Sequence, residues 1–177
     1  MDLKTLQVMR RELLEAGIDL TLPPHLLGRG TYSLVYAGTR IDDPKVEVAV
    51  RFAYGTTKPR RSTWVPDLTQ LLISGEGCVV PLIHVIPVTQ AFPHSCLITV
   101  MPRIRAISFR KFIGSATITD IRRYMSNLLV ALEVCAEYGI VHRDVKPKNF
   151  LWDNDKVCHH LRALVIAHLC IYWSIVC

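Results

Sequence analysis

Apolar side chains near the start of the chain recur three to four residues apart. They are Leu3, Leu6, Met9, Leu13 and Leu14. This spacing is typical of one face of a helix, and Gly17 follows where a helix end favours a left-handed residue. The pattern predicts a helix over residues 3–16.

Short apolar runs follow after Pro23-Pro24, and they predict strands. The runs cover residues 25–27, 34–39, 46–52, 79–86 and 96–101. Turn residues separate the first three runs, so an antiparallel meander is the most economical arrangement for them.

Two helices are predicted further along the chain. Residues 67–73 have the pattern of a short helix, and residues 119–138 that of a long one ended by Gly139. Thr117 and Asp120 have the spacing of a capping box at the start of the long helix. Because this helix is apolar nearly all round, we expect other parts of the domain to cover it on several sides.

The composition indicates one globular domain. Half of the 177 residues are apolar and 20% are charged, which excludes a disordered chain. The six cysteines form no Cys-x-x-Cys pair, and Met1-Asp2-Leu3-Lys4 does not begin a signal peptide. We therefore expect an intracellular protein with reduced, mostly buried cysteines. Cys158-His159-His160 lacks a second ligand pair at zinc-finger spacing, so no metal site is expected there.

The net charge of the chain is +6, and its charged residues are unevenly placed, with two basic stretches. The first holds Arg51, Lys58, Arg60 and Arg61, and the second holds Arg103, Arg105, Arg110 and Lys111. Aromatic residues do not alternate with these cations as they do where bases stack, so no direct nucleic-acid binding is expected. Two interpretations stay open: a solvated face, or attraction for acidic protein segments or phosphate.

A glycine-rich turn between two predicted strands is a candidate phosphate-binding loop. It reads Gly28-Arg29-Gly30-Thr31-Tyr32-Ser33-Leu34-Val35. Glycine lets backbone N–H groups approach phosphates. Ser33 is a small residue at the third glycine position, and Val35 would pack on a flat base. A structural hairpin without a ligand is the alternative.

Residues 142–149 carry a more specific pattern. The stretch His142-Arg143-Asp144-Val145-Lys146-Pro147-Lys148-Asn149 contains the His-Arg-Asp triplet of a kinase catalytic loop and an asparagine five residues after the aspartate. Asp144 could accept the proton of a substrate hydroxyl, Lys146 could neutralise charge on the transferred phosphoryl group, and Asn149 could hold Mg²⁺.

These motifs make the chain resemble the eukaryotic protein kinase superfamily, in its serine/threonine form. The stretches at 30–36 and 139–151 are similar to the cell-division-cycle-seven kinases, which fire replication origins with an activating regulatory subunit. The resemblance implies an α+β, two-lobed protein kinase domain with a β-rich N-lobe and an incomplete helical C-lobe. Its segments are 22–101 as N-lobe, 102–104 as hinge, 105–155 as the start of the C-lobe and 156–177 as a divergent apolar tail.

The resemblance also implies a site, cofactors and partners. ATP and Mg²⁺ are the implied cofactors, and a protein substrate, of acidic character in this family, is the implied partner, with a nuclear location and no membrane attachment. The matched nucleotide-binding residues are Gly28, Gly30, Ser33, Val35, Ala49, Arg51, Asp67 and Met101. The matched catalytic residues are Asp144, Lys146 and Asn149, with Asn149 also the metal ligand.

Three positions depart from the family pattern. Arg51 stands where kinases have the lysine that contacts the α- and β-phosphates. Asp67 is matched to its glutamate partner, with Glu76 as the less favoured alternative because it lies after the predicted helix. Ile166 follows Ala163-Leu164-Val165 where the metal-binding aspartate is expected, and isoleucine cannot ligate Mg²⁺. We therefore expect phosphoryl transfer to fall by orders of magnitude. A pseudokinase fragment that binds nucleotide or a partner is the alternative function.

The end of the chain, residues 163–177, has only His168 and Ser174 as polar members. Three interpretations stay open. The run is a membrane segment, although it is shorter than the about 20 residues that a spanning helix needs; it is a buried strand and helix that cover the long helix; or it is translated out of frame after a genuine kinase start. The last interpretation makes the chain a truncated kinase or an unfolded by-product.

Overall fold

The computed structural model describes residues 3–21, 23–30, 33–53, 79–88, 96–138, 145–152 and 160–161. The chain divides into two compact units, one from Met1–Arg61 and Leu82–Arg103, the other from Ser62–Pro81 and Ile104–Cys177. Strands dominate the described part of the first unit and helices that of the second, which confirms the α+β class. The predicted helix at 67–73 and the apolar run at 163–177 lie outside the described residues.

The first unit begins with helix α1 (Leu3–Glu15), as predicted. Gly17 follows it with a φ of 75°, a left-handed conformation that glycine adopts without the steric cost of a Cβ. The chain then enters strand β1 (Ile18–Leu20). The sequence pattern did not indicate β1, because three residues are too few to show an alternation.

Six strands form one antiparallel sheet in the described part of the first unit. After β1 they are β2 (Leu26–Gly30), β3 (Ser33–Arg40), β4 (Glu47–Ala53), β5 (His84–Val88) and β6 (Cys96–Pro102). The order across the sheet is β1-β3-β4-β6-β5, and β2 also pairs with β3. The predicted meander of the first three runs is therefore confirmed. Gly38 of β3 lets β1 approach closely, since a Cβ there would lie 2.8 Å from the Asp19 carbonyl oxygen.

The strand predicted at 79–86 is wrong in its first half. Val79 makes only an isolated bridge, and β5 begins at His84. Pro81 has no N–H to donate to a ladder, so a regular strand does not run through it. Pro87 is accommodated within β5 because this strand lies at the edge of the sheet.

The core of the first unit lies on one face of the sheet, under α1. The cluster consists of Met9, Leu13, Ile18, Leu20, Val48, Val50, Phe52, Val88, Ile98 and Val100. Met9 and Leu13 of α1 are completely buried, and each such side chain contributes roughly 1.5–3 kcal/mol. Apolar contact therefore holds α1 on the sheet, with an ion pair of Arg10 and Asp19 at 3.3 Å beside it.

The described part of the second unit is built on two helices. These are α2 (Phe109–Ser115) and α3 (Ile118–Glu137), followed by a 3₁₀ turn (Pro147–Asn149) and the paired strands β7 (Phe150–Leu151) and β8 (His160–Leu161). The long helix is confirmed, and so is its capping box. The Thr117 N–H donates to Asp120 Oδ2 at 2.9 Å, and the Asp120 N–H donates to Thr117 Oγ1 at 3.2 Å.

Helix α2 was not among the predicted elements. Ser108 caps it, since its Oγ accepts a hydrogen bond from the Lys111 N–H at 3.3 Å. A serine before a phenylalanine is the local signal that could have indicated this start. The basic residues that follow obscured it, because they interrupt the apolar spacing.

Helix α3 is buried along one side only. The residues buried on it are Tyr124, Ala131, Val134 and Cys135. Ile118 and Leu129 are 67% and 61% exposed, so the expected cover on several sides is wrong for the described part of the chain. An apolar pattern shows which side chains leave water favourably, but not whether neighbouring elements reach them. None of the described helices is long and apolar enough to cross a membrane.

Cys135 fits the interpretation of the cysteines as buried thiols. It is free and buried, and burial raises the pKa of its thiol, which disfavours the reactive thiolate. The side chains of the other five cysteines are not among those described. Within the described residues, no group of three or more His, Cys, Asp or Glu side chains is placed to hold a metal ion.

Candidate nucleotide-binding and catalytic site

The predicted nucleotide-binding residues of the central strands share one face of the sheet. Val35 of β3 lies opposite Arg51 of β4, and Arg51 lies opposite Thr99 of β6. In the same way Ala49 lies opposite Met101. Directly opposed residues of antiparallel strands point to the same side. Because strand side chains alternate, this face, called the site face below, is the reverse of the face that carries the core.

The glycine-rich turn is a hairpin beside the site face. Gly28 lies opposite Val35, and Gly30 lies opposite Ser33. A Cβ added to Gly28 would meet nothing within 4 Å, whereas one added to Gly30 would lie 3.0 Å from Ser33 Oγ. The open space at Gly28 therefore suits the close approach of a phosphate to the backbone. The tip of the hairpin, residues 31–32, lies outside the described residues.

Arg51 is a buried cation in the middle of the site face. Only 6% of it is exposed, so the solvated-face interpretation is wrong for this residue. Its guanidinium keeps its charge at any physiological pH and can bind two oxygens of a phosphate at once. Asp67, the predicted partner of Arg51, lies outside the described residues, as do the other cations of this basic stretch.

Arg103 ties the end of β6 to the start of β4. Its N–H donates to the Glu47 carbonyl oxygen at 3.2 Å, and its Nη1 lies 2.9 Å from Glu47 Oε1. Both side chains are partly buried, which strengthens the pair relative to a fully solvated one. The sequence reasoning missed Glu47, although a lone acid at the edge of an apolar strand is a usable signal. The pair helps to hold Met101 opposite Ala49.

The second unit holds the described part of the catalytic-loop motif in one tight turn. The Asn149 N–H donates to the Lys146 carbonyl oxygen at 2.8 Å, and the Phe150 N–H donates to the Pro147 carbonyl oxygen. Proline fixes its own φ, which suits the first position of such a turn. The turn leaves Lys146 exposed, whereas Asn149 is only 3% exposed.

An aromatic cluster anchors this turn to α2 and α3. Its members are Phe109, Phe112, Tyr124, Phe150 and Trp152. The ring of Phe150 packs edge-on against Tyr124 with centroids 4.8 Å apart, and Trp152 packs on Phe112 at 4.2 Å. The Ile107 N–H also donates to the Trp152 carbonyl oxygen at 3.1 Å. The backbone on the carboxyl side of Asn149 is thereby held by two helices.

Burial in this cluster raises the pKa of Tyr124, since an apolar environment disfavours the phenolate. The sequence reasoning missed the supporting role of Tyr124 and Phe112. Their signal was a pair of aromatic residues three apart, at 109 and 112, and a further one at 124, all before the catalytic-loop motif. Such residues are equally common in any core, so spacing did not indicate their partner.

The structure thus brings the predicted residues together in two sets, one in each unit. Strand register gathers Gly28, Gly30, Ser33, Val35, Ala49, Arg51 and Met101 on or beside the site face, and the 3₁₀ turn gathers Lys146 and Asn149. Asp144 and Ile166 lie outside the described residues. Chemically, the first set offers an apolar surface beside a cation and a glycine hairpin. The second offers a cation and an amide oxygen, which is a suitable ligand for Mg²⁺.

Comparison with known proteins agrees with these motifs. A family model described as the protein kinase domain matches residues 24–164. The chain is 32% identical over 134 residues to the probable cell division control protein 7 homolog 2 of Encephalitozoon cuniculi, which covers 75% of this chain and 36% of that protein. It is 32% identical over 130 residues to the cell division cycle 7-related protein kinase of Mus musculus, which covers 72% of this chain and 22% of that protein.

A relative from another kinase group is similar at the same level. The chain is 32% identical over 128 residues to casein kinase II subunit alpha' of Saccharomyces cerevisiae, with 72% of this chain and 36% of that protein covered. The chain therefore spans about a third or less of the length of these relatives. Residues 24–164, which the family model matches, include the glycine hairpin, the buried cation on β4 and the turn that ends in Asn149. With the family model matching from residue 24 to residue 164, the protein kinase fold is confirmed, and the chain belongs to the protein kinase family.

Proposed function

We propose that this chain is part of a serine/threonine protein kinase of the cell-division-cycle-seven type, which uses ATP and Mg²⁺ to phosphorylate proteins. One observation carries the proposal. Strand register puts Val35, Ala49, Arg51 and Met101 on one face, with the Gly28 hairpin beside it. That combination supplies apolar contacts for a base, a cation for phosphates, and at Gly28 a backbone that a phosphate can approach closely.

Each part of the nucleotide is assigned to the residues whose chemistry suits it. Val35 and Ala49 present small apolar side chains that suit the flat adenine ring, and Met101 lies opposite Ala49 at the same level of the sheet. Arg51 takes the role of the phosphate-binding lysine. The planar guanidinium of arginine replaces the compact ammonium of lysine, so it holds phosphate oxygens with a different geometry. Asp67 is proposed as its carboxylate partner.

Phosphoryl transfer is assigned to the catalytic-loop residues. Asp144 accepts the proton of the attacking hydroxyl, and Lys146 offsets negative charge on the phosphoryl group. Magnesium, when bound, neutralises the phosphate oxygens and orients them for in-line attack. The amide oxygen of Asn149 fits such an ion, but Ile166 does not. We therefore propose that transfer by this chain is weak or lost.

The partners and location follow from the relatives and from charge. Two of the relatives above are named as division-control or division-cycle 7 proteins, which supports a cell-cycle setting. A nuclear location and an activating regulatory subunit are proposed from the resemblance of the motifs to the cell-division-cycle-seven kinases. Arg105, Arg110 and Lys111 are exposed, which supports a protein substrate of acidic character.

A pseudokinase that binds nucleotide without transfer is the second candidate. The arginine at 51 and the isoleucine at 166 favour it, because both replace residues that act on the phosphates or the metal. Arg51 still offers a charge for binding, whereas nothing about Ile166 offers a replacement ligand. This candidate therefore predicts ATP binding that depends on Arg51 and little on Mg²⁺.

Calorimetric titration of the full chain with ATP, in Mg²⁺ and in EDTA, tests the binding step. We expect Arg51→Met to weaken ATP affinity about ten-fold or more, as expected for a lost charge-assisted contact. Arg51→Lys should retain most of the affinity. Arg40→Met is the matched control, because Arg40 is exposed and pairs with Asp42 away from the site face. Absence of ATP binding, or an equal loss in Arg40→Met, would overturn the proposal.

Transfer of labelled phosphate to a protein substrate then separates the two candidates. A Mg²⁺-dependent signal that disappears in Asp144→Asn identifies a kinase. ATP binding without any such signal identifies the pseudokinase. Circular dichroism of each variant confirms that the fold is retained before rates are compared.

A further inference from the structure

We propose that α3 carries a docking surface for a second copy of this chain, which packs against it as an antiparallel helix. The surface is a stripe of large apolar side chains that the fold leaves uncovered. Each is between 37% and 67% exposed, although such side chains are usually buried. They are Ile118, Ile121, Met125 and Leu129. The function proposed above uses none of them, and this inference does not depend on it.

The four side chains form one continuous stripe along α3. Their spacings are three, four and four residues, which keeps them on one side of a helix with 3.6 residues per turn. The buried side of α3 is a different one, with Tyr124 and Ala131 near its centre. Leu132 and Ala136 continue the stripe, so it extends about 27 Å at 1.5 Å per residue. The stripe is therefore long enough to receive a helix of about five turns.

The size of the stripe sets the expected strength of the dimer. The largest apolar patch on a monomeric protein covers about 300–600 Å² and is often functional, whereas a stable interface buries about 800 Å² per partner. A stripe about 27 Å long and about 10 Å wide lies at the lower end of the first range. We therefore expect the dimer to form at micromolar and not at nanomolar concentrations.

Two charged residues favour a second copy as the occupant of the stripe. Arg122 and Glu133 each follow a stripe residue by four positions, so both lie along the same border of the stripe. Both are exposed, and neither forms an ion pair within the described residues. A two-fold axis between antiparallel helices brings the same border of the two copies together. Arg122 of each copy therefore meets Glu133 of the other.

The register of the helix pair follows from the same positions. A centre between residues 127 and 128 places Arg122 level with Glu133 of the second copy. It also places Met125 within one residue of the level of Leu129 of that copy, about 1.5 Å along the axis. A parallel pair would set Arg122 against the other border, where residues 121, 124 and 128 are uncharged. Charge complementarity therefore favours the antiparallel pair.

Sedimentation velocity of the full chain in reducing buffer, between about 1 and 100 µM, tests the proposal. The weight-average mass should rise with concentration towards that of a dimer. Leu129→Glu puts a carboxylate at the centre of the interface and should raise the dimer dissociation constant about ten-fold or more. Val130→Glu is the matched control, because Val130 is 41% exposed on the same helix but lies about 100° round from Leu129. It should change the dissociation constant less than about two-fold.

Charge reversal tests whether the occupant is a second copy. Arg122→Glu and Glu133→Arg, each alone, place like charges opposite each other and should raise the dissociation constant about three- to ten-fold. The double variant restores opposite charges and should return the constant to within about two-fold of the parent value. Circular dichroism of each variant confirms that the helices are retained.

A parent chain that stays monomeric at about 100 µM would overturn the proposal, whether other residues of the chain cover the stripe or it stays solvated. A dimer that Leu129→Glu leaves intact, or that Val130→Glu weakens equally, would overturn it as well. So would a double charge variant that dimerises no better than the two single ones.

Discussion

The ring of Phe150 packs edge-on against Tyr124, with centroids 4.8 Å apart and planes at 81°. Phe150 directly follows Asn149, so this contact joins the candidate metal ligand to the long helix α3. Both rings are buried. A turn of three residues has little stability of its own, so we infer that the aromatic cluster holds Asn149 in place.

Replacing Phe150 by alanine should destabilise the chain strongly. Truncating a buried phenylalanine costs about 3–5 kcal/mol, because transfer energy is lost and a cavity remains. Urea denaturation followed by circular dichroism measures the change. Phe109→Ala is the matched control, since Phe109 belongs to the same cluster but is 38% exposed. Equal losses in the two variants would contradict the anchoring role of Phe150.

Removing the N-terminal cap of α3 should lower the free energy of unfolding by less than Phe150→Ala does. The loss should come from the start of the helix and not from its packing. Thr117→Ala deletes the hydroxyl that accepts the Asp120 N–H at 3.2 Å, and the expected loss is about 0.5–2 kcal/mol. Thr119→Ala alters an exposed threonine within the first turn and should be nearly neutral. Thermal unfolding of both variants checks this, and a neutral Thr117→Ala would show that packing alone fixes the start of α3.

Two glycine-to-alanine substitutions should change the free energy of unfolding in opposite directions. Gly17 has a φ of 75°, where a Cβ costs roughly 1–2 kcal/mol, so Gly17→Ala should destabilise. Gly114 lies inside α2 and a Cβ there would meet nothing within 4 Å. Gly114→Ala should therefore stabilise by roughly 0.5–1 kcal/mol. The urea midpoints of the two variants, compared with that of the parent chain, measure these changes. Midpoints that both rise or both fall would contradict the prediction.

Stability should fall at alkaline pH through Tyr124. Burial raises the pKa of this phenol in the folded chain, whereas the unfolded chain keeps a value of about 10. Below that pH both states hold the proton, so Tyr124 adds no pH dependence. Above it the unfolded state loses the proton first, and the free energy of unfolding declines.

Denaturation of the parent chain and of Tyr124→Phe between about pH 9 and 11 isolates this contribution. Other ionisable groups act in both chains and cancel in the comparison. The parent should lose stability more steeply with rising pH than the variant. Parallel curves would mean that Tyr124 ionises as readily in the folded as in the unfolded chain.

Gly28→Ala should weaken ligand binding without destabilising the fold. A Cβ at this position meets no other atom within 4 Å, so the free energy of unfolding should change little. The Cβ would, however, occupy the open space above the hairpin, and ATP affinity should fall roughly ten-fold. Calorimetry and urea denaturation of the same preparation measure both quantities. A large loss of stability, or unchanged affinity, would contradict the assignment of this space to phosphate.

Much of the candidate site could be predicted from local pattern alone. The His-Arg-Asp triplet with Asn149, the glycine hairpin and the capping box of Thr117 are short-range features, so spacing along the chain was sufficient to find them. The burial of Arg51 was not predictable in this way. It was grouped in the sequence with a basic stretch, but β4 is buried on both faces from Val48 to Ala53, so Arg51 is shielded from solvent with the rest of the strand.

The amino-acid sequence by itself determined which residues are candidates for binding phosphate, accepting a proton or holding a metal ion. Short-range backbone preferences also determined α1, α3 and the central strands, because their signals lie within a few residues of each other. Only the tertiary structure decided which residues share a face. Strand register joins Val35, Arg51 and Thr99 across 64 positions of sequence, and aromatic packing joins Tyr124 to Phe150. Such contacts depend on elements that meet after folding, and no spacing along the chain encodes them.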